Sequence, residues 1–115
     1  MGYNRSMNKE MMILKNYDGM NFEAHIKEGV TLVDFFATWC GPCKMLEPQL
    51  IELSKEKTDI NYVKVDIDQH RELATQTYNV KSVPTLVLFK DGVEVSRRSG
   101  FAPKADIAKW VLHHQ

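Results

Sequence analysis

The sequence lacks three features that would direct a chain to a membrane, to nucleic acid or out of the cell. No apolar run approaches the roughly 20 residues of a membrane-spanning helix. Fifteen basic residues are balanced by fifteen acidic ones, so no net charge favours binding to an anionic polymer or lipid surface. The first basic residues are followed by no apolar segment of a secretory signal. We therefore expect no nucleic-acid or membrane partner, and a cytoplasmic location.

Cysteine is also scarce, since Cys40 and Cys43 are the only two in 115 residues. Zinc normally takes four protein ligands, or three in a catalytic site, and the four histidines are dispersed without metal-ligand spacing. A disulfide across so short a loop constrains the unfolded chain little, and structural disulfides are rare in a reducing compartment. A metal site and a purely structural bridge are therefore disfavoured, and a reactive pair is favoured.

No internal repeat, low-complexity tract or proline- or glycine-rich linker divides the chain. Its length is that of one domain, and 43% hydrophobic with 26% charged residues is the balance of a soluble globular protein. We predict a single domain over residues 11–115. An N-terminal extension over residues 1–10 precedes it and contains a second possible start, Met7. The protein is expected to be a monomer.

Hydrophobic periodicity predicts alternating strands and helices. Segment 30–37, VTLVDFFA, is almost continuously apolar, β-branched or aromatic, which is typical of a central strand covered on both faces. Helix 40–57 follows, with Pro42 in its first turn and Pro48 kinking its interior. The order implies an α/β fold with a central mixed sheet flanked by helices on both faces. The other predicted strands are 11–15, 60–68, 83–90 and 93–99, with a turn at Asp91-Gly92, and the other predicted helices are 20–29, 69–79 and 103–114.

The two cysteines lie at the junction between the central strand and helix 40–57. A helix N-terminus presents free N–H groups and a partial positive charge, which favour a thiolate at Cys40. Cys43 is one turn further in, is expected to be more buried, and fits the resolving role. Cys40 would attack a substrate disulfide, and Cys43 would release the reduced substrate from the mixed disulfide. Trp39 and Pro42 would form an apolar rim for docking.

Asp34 interrupts the central strand, where an ionised carboxylate is costly unless it is paired. Its pKa should therefore be raised. Lys64, in strand 60–68, is the candidate cation. We hypothesise that Asp34, assisted by Lys64, accepts the proton of Cys43 when that thiol attacks. A buried acid without function, and a lysine exposed to solvent, are the alternatives that the sequence leaves open.

Four stretches together resemble the thioredoxin family. They are VDFFATWCGPCK around the cysteines, KVDID in the next strand, VPTLVLFKDG at the proline loop and hairpin, and SGF at residues 99–101. The resemblance runs from about Met12 to His113 and implies the fold inferred above. It gives Cys40 the position of the nucleophile and Cys43 that of the resolving thiol. It gives Asp34 and Lys64 the positions of the buried acid and its neighbouring lysine.

The resemblance also implies a cis Val83-Pro84 bond, against the trans bond that the frequency of X-Pro isomers favours. No bound cofactor is implied; the electron source would be a flavoprotein reductase that uses NADPH. Two positions depart from the family pattern: Phe36 stands where many members have a second tryptophan, and Glu47 replaces a commonly small residue. The implied substrate groove is lined by Trp39, Gly41, Pro42, Val83, Pro84, Gly100 and Phe101.

Three functions are compatible with these residues. The leading one is a general protein disulfide reductase that cycles between the Cys40/Cys43 dithiol and its disulfide. The second is a disulfide oxidase or isomerase of the same fold, but strongly oxidising relatives usually carry a histidine where this chain has Gly41-Pro42. The third is a redox-dependent binding subunit that uses the groove without turnover.

Overall fold

The computed structural model describes residues 14–115, so the predicted N-terminal extension and the first part of the predicted strand 11–15 lie outside it. Within this range, none of the helices combines the length and apolar character needed to cross a bilayer. The strands are β1 (Leu14–Asn16), β2 (Val30–Phe36), β3 (Asn61–Asp66), β4 (Thr85–Lys90) and β5 (Val93–Ser99), and the helices are α1 (Phe22–Ile26), α2 (Gly41–Glu56), α3 (Leu73–Thr77, π-helical) and α4 (Lys104–His114).

The strands form one mixed sheet in the order β1-β3-β2-β4-β5. β1, β3 and β2 are parallel, whereas β4 is antiparallel to β2 and β5 is antiparallel to β4. β2 lies at the centre, as its apolar run predicts, and only its last residue is not fully buried. The predicted α/β fold with a central mixed sheet is confirmed.

Side chains along each strand alternate between the two faces of the sheet, so both faces carry apolar residues. Helices cover both faces. We call the side packed against α2 and α4 the α2 face and the side packed against α1 and α3 the α1 face. The α2 face contributes Val30, Leu32, Tyr62, Leu86 and Leu88 to a cluster with Leu46, Leu50, Leu53, Ile107 and Val111. The α1 face contributes Val33, Phe35, Val63, Val65, Val87 and Phe89 to a cluster with Phe22, Ile26 and Ala74.

Asp34 has the same parity as Leu32 and therefore belongs to the α2 face. Its register partner in β3 is Lys64, and its partner in β4 is Leu86. The alternation of the central strand thus places one acidic side chain under the helix that carries Cys43.

Several predicted elements are shorter in the structure. Helix 20–29 is reduced to α1, because Asn21 (φ 47°) and Gly29 (φ 72°) have left-handed dihedral angles that an α-helix cannot contain. Helix 69–79 contains the π-helical α3, where the N–H of Tyr78 donates to Leu73 O at 3.1 Å. Strand 83–90 begins only at Thr85, since Pro84 has no N–H for a sheet ladder. Pro48 lies inside α2, as predicted.

Candidate functional site

Cys40 and Cys43 are joined by a disulfide bond at the start of α2. Cys40 is the N-cap, in an extended conformation, and Pro42 lies in the first turn, where a missing N–H costs nothing. The N–H of Cys43 donates to Cys40 Sγ at 3.2 Å. The sulfur thus stands where a capping oxygen normally accepts a hydrogen bond. A Cys40 thiolate formed on reduction would be stabilised by this N–H and by the positive end of the helix dipole.

The two cysteines differ little in burial. The exposed fraction is 5% for Cys40 and 3% for Cys43. The difference has the predicted sign, but it is too small to separate their roles. Position separates them better, because Cys40 caps α2 whereas Cys43 lies within its first turn. Both cysteines belong to one small cluster with Ala37, against which Phe36, Ile67 and Val83 pack.

The proline loop lies beside this cysteine cluster. The Val83-Pro84 bond is cis, as the family resemblance implies and against the expectation from isomer frequencies. Val83 packs against the cluster that contains both cysteines. Gly100, whose φ of 88° favours glycine, donates its N–H to Pro84 O at 2.9 Å. This hydrogen bond holds the turn that precedes the exposed Phe101 against the proline loop.

Trp39, which the sequence predicts to form an apolar docking rim with Pro42, is exposed, with 67% of its surface accessible. Its Nε1–H donates to Asp68 Oδ2 at 2.8 Å. Asp68 also lies 3.9 Å from the Arg71 guanidinium. Asp68 is not among the site residues predicted from the sequence. The only available signal was its position at the end of the KVDID stretch, and that stretch indicated no partner 29 residues away.

Asp34 is the buried acid of the site. Its side chain is 1% exposed, and its Oδ1 atom has no hydrogen-bond partner. Burial raises the pKa of this carboxyl from 3.8 to about 7, although the Lys64 charge lowers the pKa and the Glu47 charge raises it further. The raised pKa agrees with the expectation from the sequence.

Lys64 does not form the direct ion pair with Asp34 that its register position suggests. Its ammonium donates to Glu47 Oε1 and lies 4.4 Å from the centre of the Phe36 ring. No Asp34–Lys64 ion pair occurs in the described part of the chain. The lysine therefore acts on Asp34 through space. Its ion-pair partner is Glu47, a position marked in the sequence only as a departure from the family pattern.

A cleft of about 290 Å³ connects Asp34 with Cys43. A water molecule occupies about 30 Å³ in the liquid, so several fit, and a proton could pass between the two side chains through water. A larger cleft of about 550 Å³ lies beside the start of β3 and contains none of the predicted site residues. Residues 14–115 contain no group of three or more His, Cys, Asp or Glu side chains placed to hold a metal ion. The polar residues lining the smaller cleft are Asp34, Thr38, Cys43, Lys44, Glu47 and Lys64.

Comparison with known proteins identifies a family for this chain. The thioredoxin family model matches residues 13–113. A thioredoxin of Chlamydia trachomatis is 50% identical over 95 residues, which cover 83% of this chain and 92% of that protein. A thioredoxin of Staphylococcus saprophyticus is 45% identical over 105 residues, covering 90% and 99%. The crystal structure of a thioredoxin from Nicotiana alata has a TM-score of 0.80 and 36% identity, covering 90% of this chain and 93% of that one.

Proposed function

This chain belongs to the thioredoxin family and is a thiol–disulfide oxidoreductase, and we propose that it works as a general protein disulfide reductase in the cytoplasm. Proteins of this family carry no prosthetic group and act on disulfide-containing proteins. The observation that carries the proposal is the Cys40–Cys43 disulfide at the N-cap of α2, with uncharged Gly41-Pro42 between the cysteines. An oxidase needs a strongly stabilised dithiol form, and Gly41-Pro42 adds no positive charge that would stabilise it.

The first step is an attack by the Cys40 thiolate on one sulfur of the substrate disulfide. The substrate S–S bond breaks, a mixed disulfide with Cys40 forms, and the second substrate sulfur leaves as a thiolate that takes a proton. The hydrogen bond from the Cys43 N–H to Cys40 Sγ supports this assignment, because the same N–H would stabilise the negative charge of a Cys40 thiolate after reduction.

The second step is an attack by Cys43 on Cys40 Sγ. The mixed disulfide breaks, the substrate leaves as a dithiol, and the protein retains the Cys40–Cys43 disulfide, so two electrons have passed to the substrate. Cys43 must lose its proton before it attacks. We assign Asp34 as the base that accepts the proton through water in the cleft, with Lys64 adjusting its affinity.

The substrate is proposed to bind as an extended chain along the groove beside the disulfide. Backbone pairing and apolar contact make such recognition permissive, which suits a general reductase. The exposed rings of Trp39 and Phe101 and the position of Val83 against the cysteine cluster support this surface. The assigned groove residues are Trp39, Gly41, Pro42, Val83, Pro84, Gly100 and Phe101.

The oxidised protein must be reduced after each turnover by an external donor of two electrons. We propose a flavoprotein reductase that takes these electrons from NADPH, so that NADPH is used without binding to this chain. The chain itself is proposed to act as a monomer.

The reduction potential of the Cys40–Cys43 pair tests the direction of the reaction. The protein would be equilibrated in dithiothreitol and glutathione redox buffers, alkylated, and analysed by mass. A potential of about −270 mV, the established value for thioredoxin, is expected. A potential of about −180 to −120 mV would instead identify an isomerase or an oxidase.

The variant Cys40→Ser separates turnover from binding. Insulin reduction is expected to fall to the uncatalysed rate, because a serine hydroxyl cannot form the mixed disulfide. Cys43→Ser is the matched control, and it should accumulate the mixed disulfide with Cys40 instead of releasing the product. A Cys40→Ser protein that retained its full effect on a physiological partner would point to a binding subunit.

A further inference from the structure

The ion pair between Lys64 and Glu47 lies in the cleft that joins Asp34 to Cys43. The Lys64 side chain is 12% exposed and that of Glu47 is 41% exposed, so the glutamate is at the outer end. Lys64 comes from β3, at the register position of Asp34, whereas Glu47 comes from α2, one helical turn after Cys43. The pair therefore connects the strand beside the buried acid with the helix that carries the resolving thiol.

The Lys64 side chain is directed toward Glu47 rather than toward Asp34. The ammonium donates to Glu47 Oε1 and packs over the Phe36 ring, while Asp34 Oδ1, buried in the same cleft, accepts no hydrogen bond. A buried carboxylate without a partner would normally attract the nearest ammonium. In this structure the Lys64 ammonium instead contacts the outer carboxylate, that of Glu47.

We propose that Glu47 is a positioning residue for the exchange reaction: it holds the Lys64 ammonium at the outer end of the cleft and thereby sets the pH at which the Asp34 carboxyl exchanges its proton. The inference rests on the proposed role of Asp34 as the base for Cys43. It adds a residue that lies outside the cysteine motif and the groove.

Glu47 acts on Asp34 in two ways that have the same sign. Its own negative charge opposes a second carboxylate nearby and raises the pKa of Asp34, whereas the Lys64 charge lowers that pKa. In the proposed role, Glu47 also holds the Lys64 charge away from Asp34, which raises the pKa further. The other titratable or charged side chains in the cleft are Cys43 and Lys44, both from α2. The strand on the other side contributes Leu86, which does not titrate.

The consequence concerns the proton of Cys43. A free cysteine has a pKa of about 8.5, so a carboxylate with an ordinary pKa near 4 is a poor acceptor for its proton. A carboxylate whose pKa lies close to that of the thiol accepts the thiol proton with a smaller energetic penalty. By keeping Lys64 away from Asp34, Glu47 makes the buried acid a stronger base in the step that releases the product.

The test is a carbon-13 NMR titration of the Asp34 carboxyl in the oxidised full chain, for the wild type and Glu47→Gln. The midpoint is expected to fall by about one pH unit in Glu47→Gln, because Lys64 becomes free to approach Asp34. Glu52→Gln is the matched control, since it removes the same charge from an exposed position of α2 outside the cleft. An unchanged or higher midpoint in Glu47→Gln, or an equal fall in Glu52→Gln, would overturn the inference.

A second background isolates the role of Lys64. In Lys64→Gln, the further change Glu47→Gln should lower the Asp34 midpoint by less than it does in the wild type, because no ammonium remains to be repositioned. An equal fall in both backgrounds would show that Glu47 acts by its own charge alone and would overturn the positioning role.

Kinetics separate this inference from the proposed function. The rate at which Cys43 resolves a preformed mixed disulfide would be followed against pH in single-turnover experiments. The acidic limb of the profile should move with the Asp34 midpoint in Glu47→Gln. If the midpoint moves and the limb does not, Asp34 is not the base and that part of the proposed function fails, whereas the coupling of Glu47 to Asp34 is upheld.

Discussion

On the α1 face of the central strand, Val33 and Phe35 pack in a cluster of apolar and aromatic side chains; on the α2 face, one residue along, Asp34 is equally buried and has an oxygen without a hydrogen-bond partner. The same strand therefore supports two environments that differ in polarity but not in burial. The α1 face contributes favourable burial of apolar surface, at roughly 25 cal/mol per Å². The α2 face combines such burial with one group that opposes folding whenever it is ionised.

This difference shows where the chain can accommodate an unfavourable group. Aromatic rings on the α1 face make edge-to-face contacts, such as Phe22 with Phe89 at 6.2 Å and Tyr78 with Phe89 at 5.4 Å between ring centres. Such pairs add stability beyond the area that they bury. The stability supplied on one side allows the other side to keep a buried acid next to the reacting thiols, where its chemistry is needed.

The largest expected effect on stability comes from truncating a buried side chain on the α1 face. Phe35→Ala removes a fully buried ring and should lower the free energy of unfolding by about 3–5 kcal/mol. Insulin reduction per folded molecule should stay close to that of the wild type. Denaturant unfolding and the reductase assay measure the two quantities separately.

Phe101→Ala is the matched control for Phe35→Ala. The same ring is removed from an exposed position of the proposed groove, so the free energy of unfolding should change by no more than about 0.5 kcal/mol. Turnover of protein substrates should fall instead. If Phe35→Ala reduced the activity of the folded protein while Phe101→Ala did not, the two faces would not divide stability and function as described.

The second effect has the opposite sign and a distinct pH dependence. The folded protein binds the Asp34 proton more tightly than the unfolded chain, since the pKa is about 7 in one and 3.8 in the other. The stabilisation from this proton is fully present below about pH 4 and is lost as the pH rises through about 7. Asp34→Asn cannot ionise, so it should exceed the wild type in stability by about 2–4 kcal/mol above neutral pH, with slower resolution of the mixed disulfide.

Denaturant unfolding at pH 4, 6 and 8 measures the Asp34→Asn effect. The advantage of the variant should grow across this series. Glu52→Gln, which removes a charge from an exposed position of α2, is the matched control and should show no growth of comparable size. A constant difference between Asp34→Asn and the wild type would mean that Asp34 does not titrate in this range.

The parts of the fold and site that could be predicted from the sequence are those with local signals. The apolar run of β2, the break at Asp34 and the Cys40/Cys43 spacing are each visible within a few residues, and the structure has the strand at the centre and the cysteines at a helix start. The π-helical turn of α3 was missed, because five residues are too few for hydrophobic periodicity to distinguish it from an α-helix.

Side-chain partners between distant elements could not be predicted. Lys64 lies near two acids, Asp34 and Glu47. Which of them it contacts depends on how α2 packs over β3, because Glu47 belongs to α2 and precedes the lysine by 17 residues. Asp68 and Trp39 are 29 residues apart, and their hydrogen bond depends on the relative positions of the two loops that carry them. Periodicity predicts which face of the sheet or helix a side chain occupies. It does not predict the rotamer of that side chain, or which of two nearby charged groups it contacts.

The smallest expected effect concerns the exposed rim beside the disulfide, where the Trp39 ring is held by a hydrogen bond to Asp68. A hydrogen bond of this kind contributes about 1 kcal/mol, so Asp68→Ala should raise KM for insulin about fivefold as the ring loses its fixed orientation. Trp39 emission, read in a Trp110→Phe background, should show a more mobile ring. Glu72→Ala, an exposed acid on the following turn, should change neither quantity. An unchanged KM together with a mobile ring would mean that docking needs the apolar surface of Trp39 but not its orientation. The rim would then differ from the interior of the α2 face, where the position of one charged partner is proposed to set the chemistry.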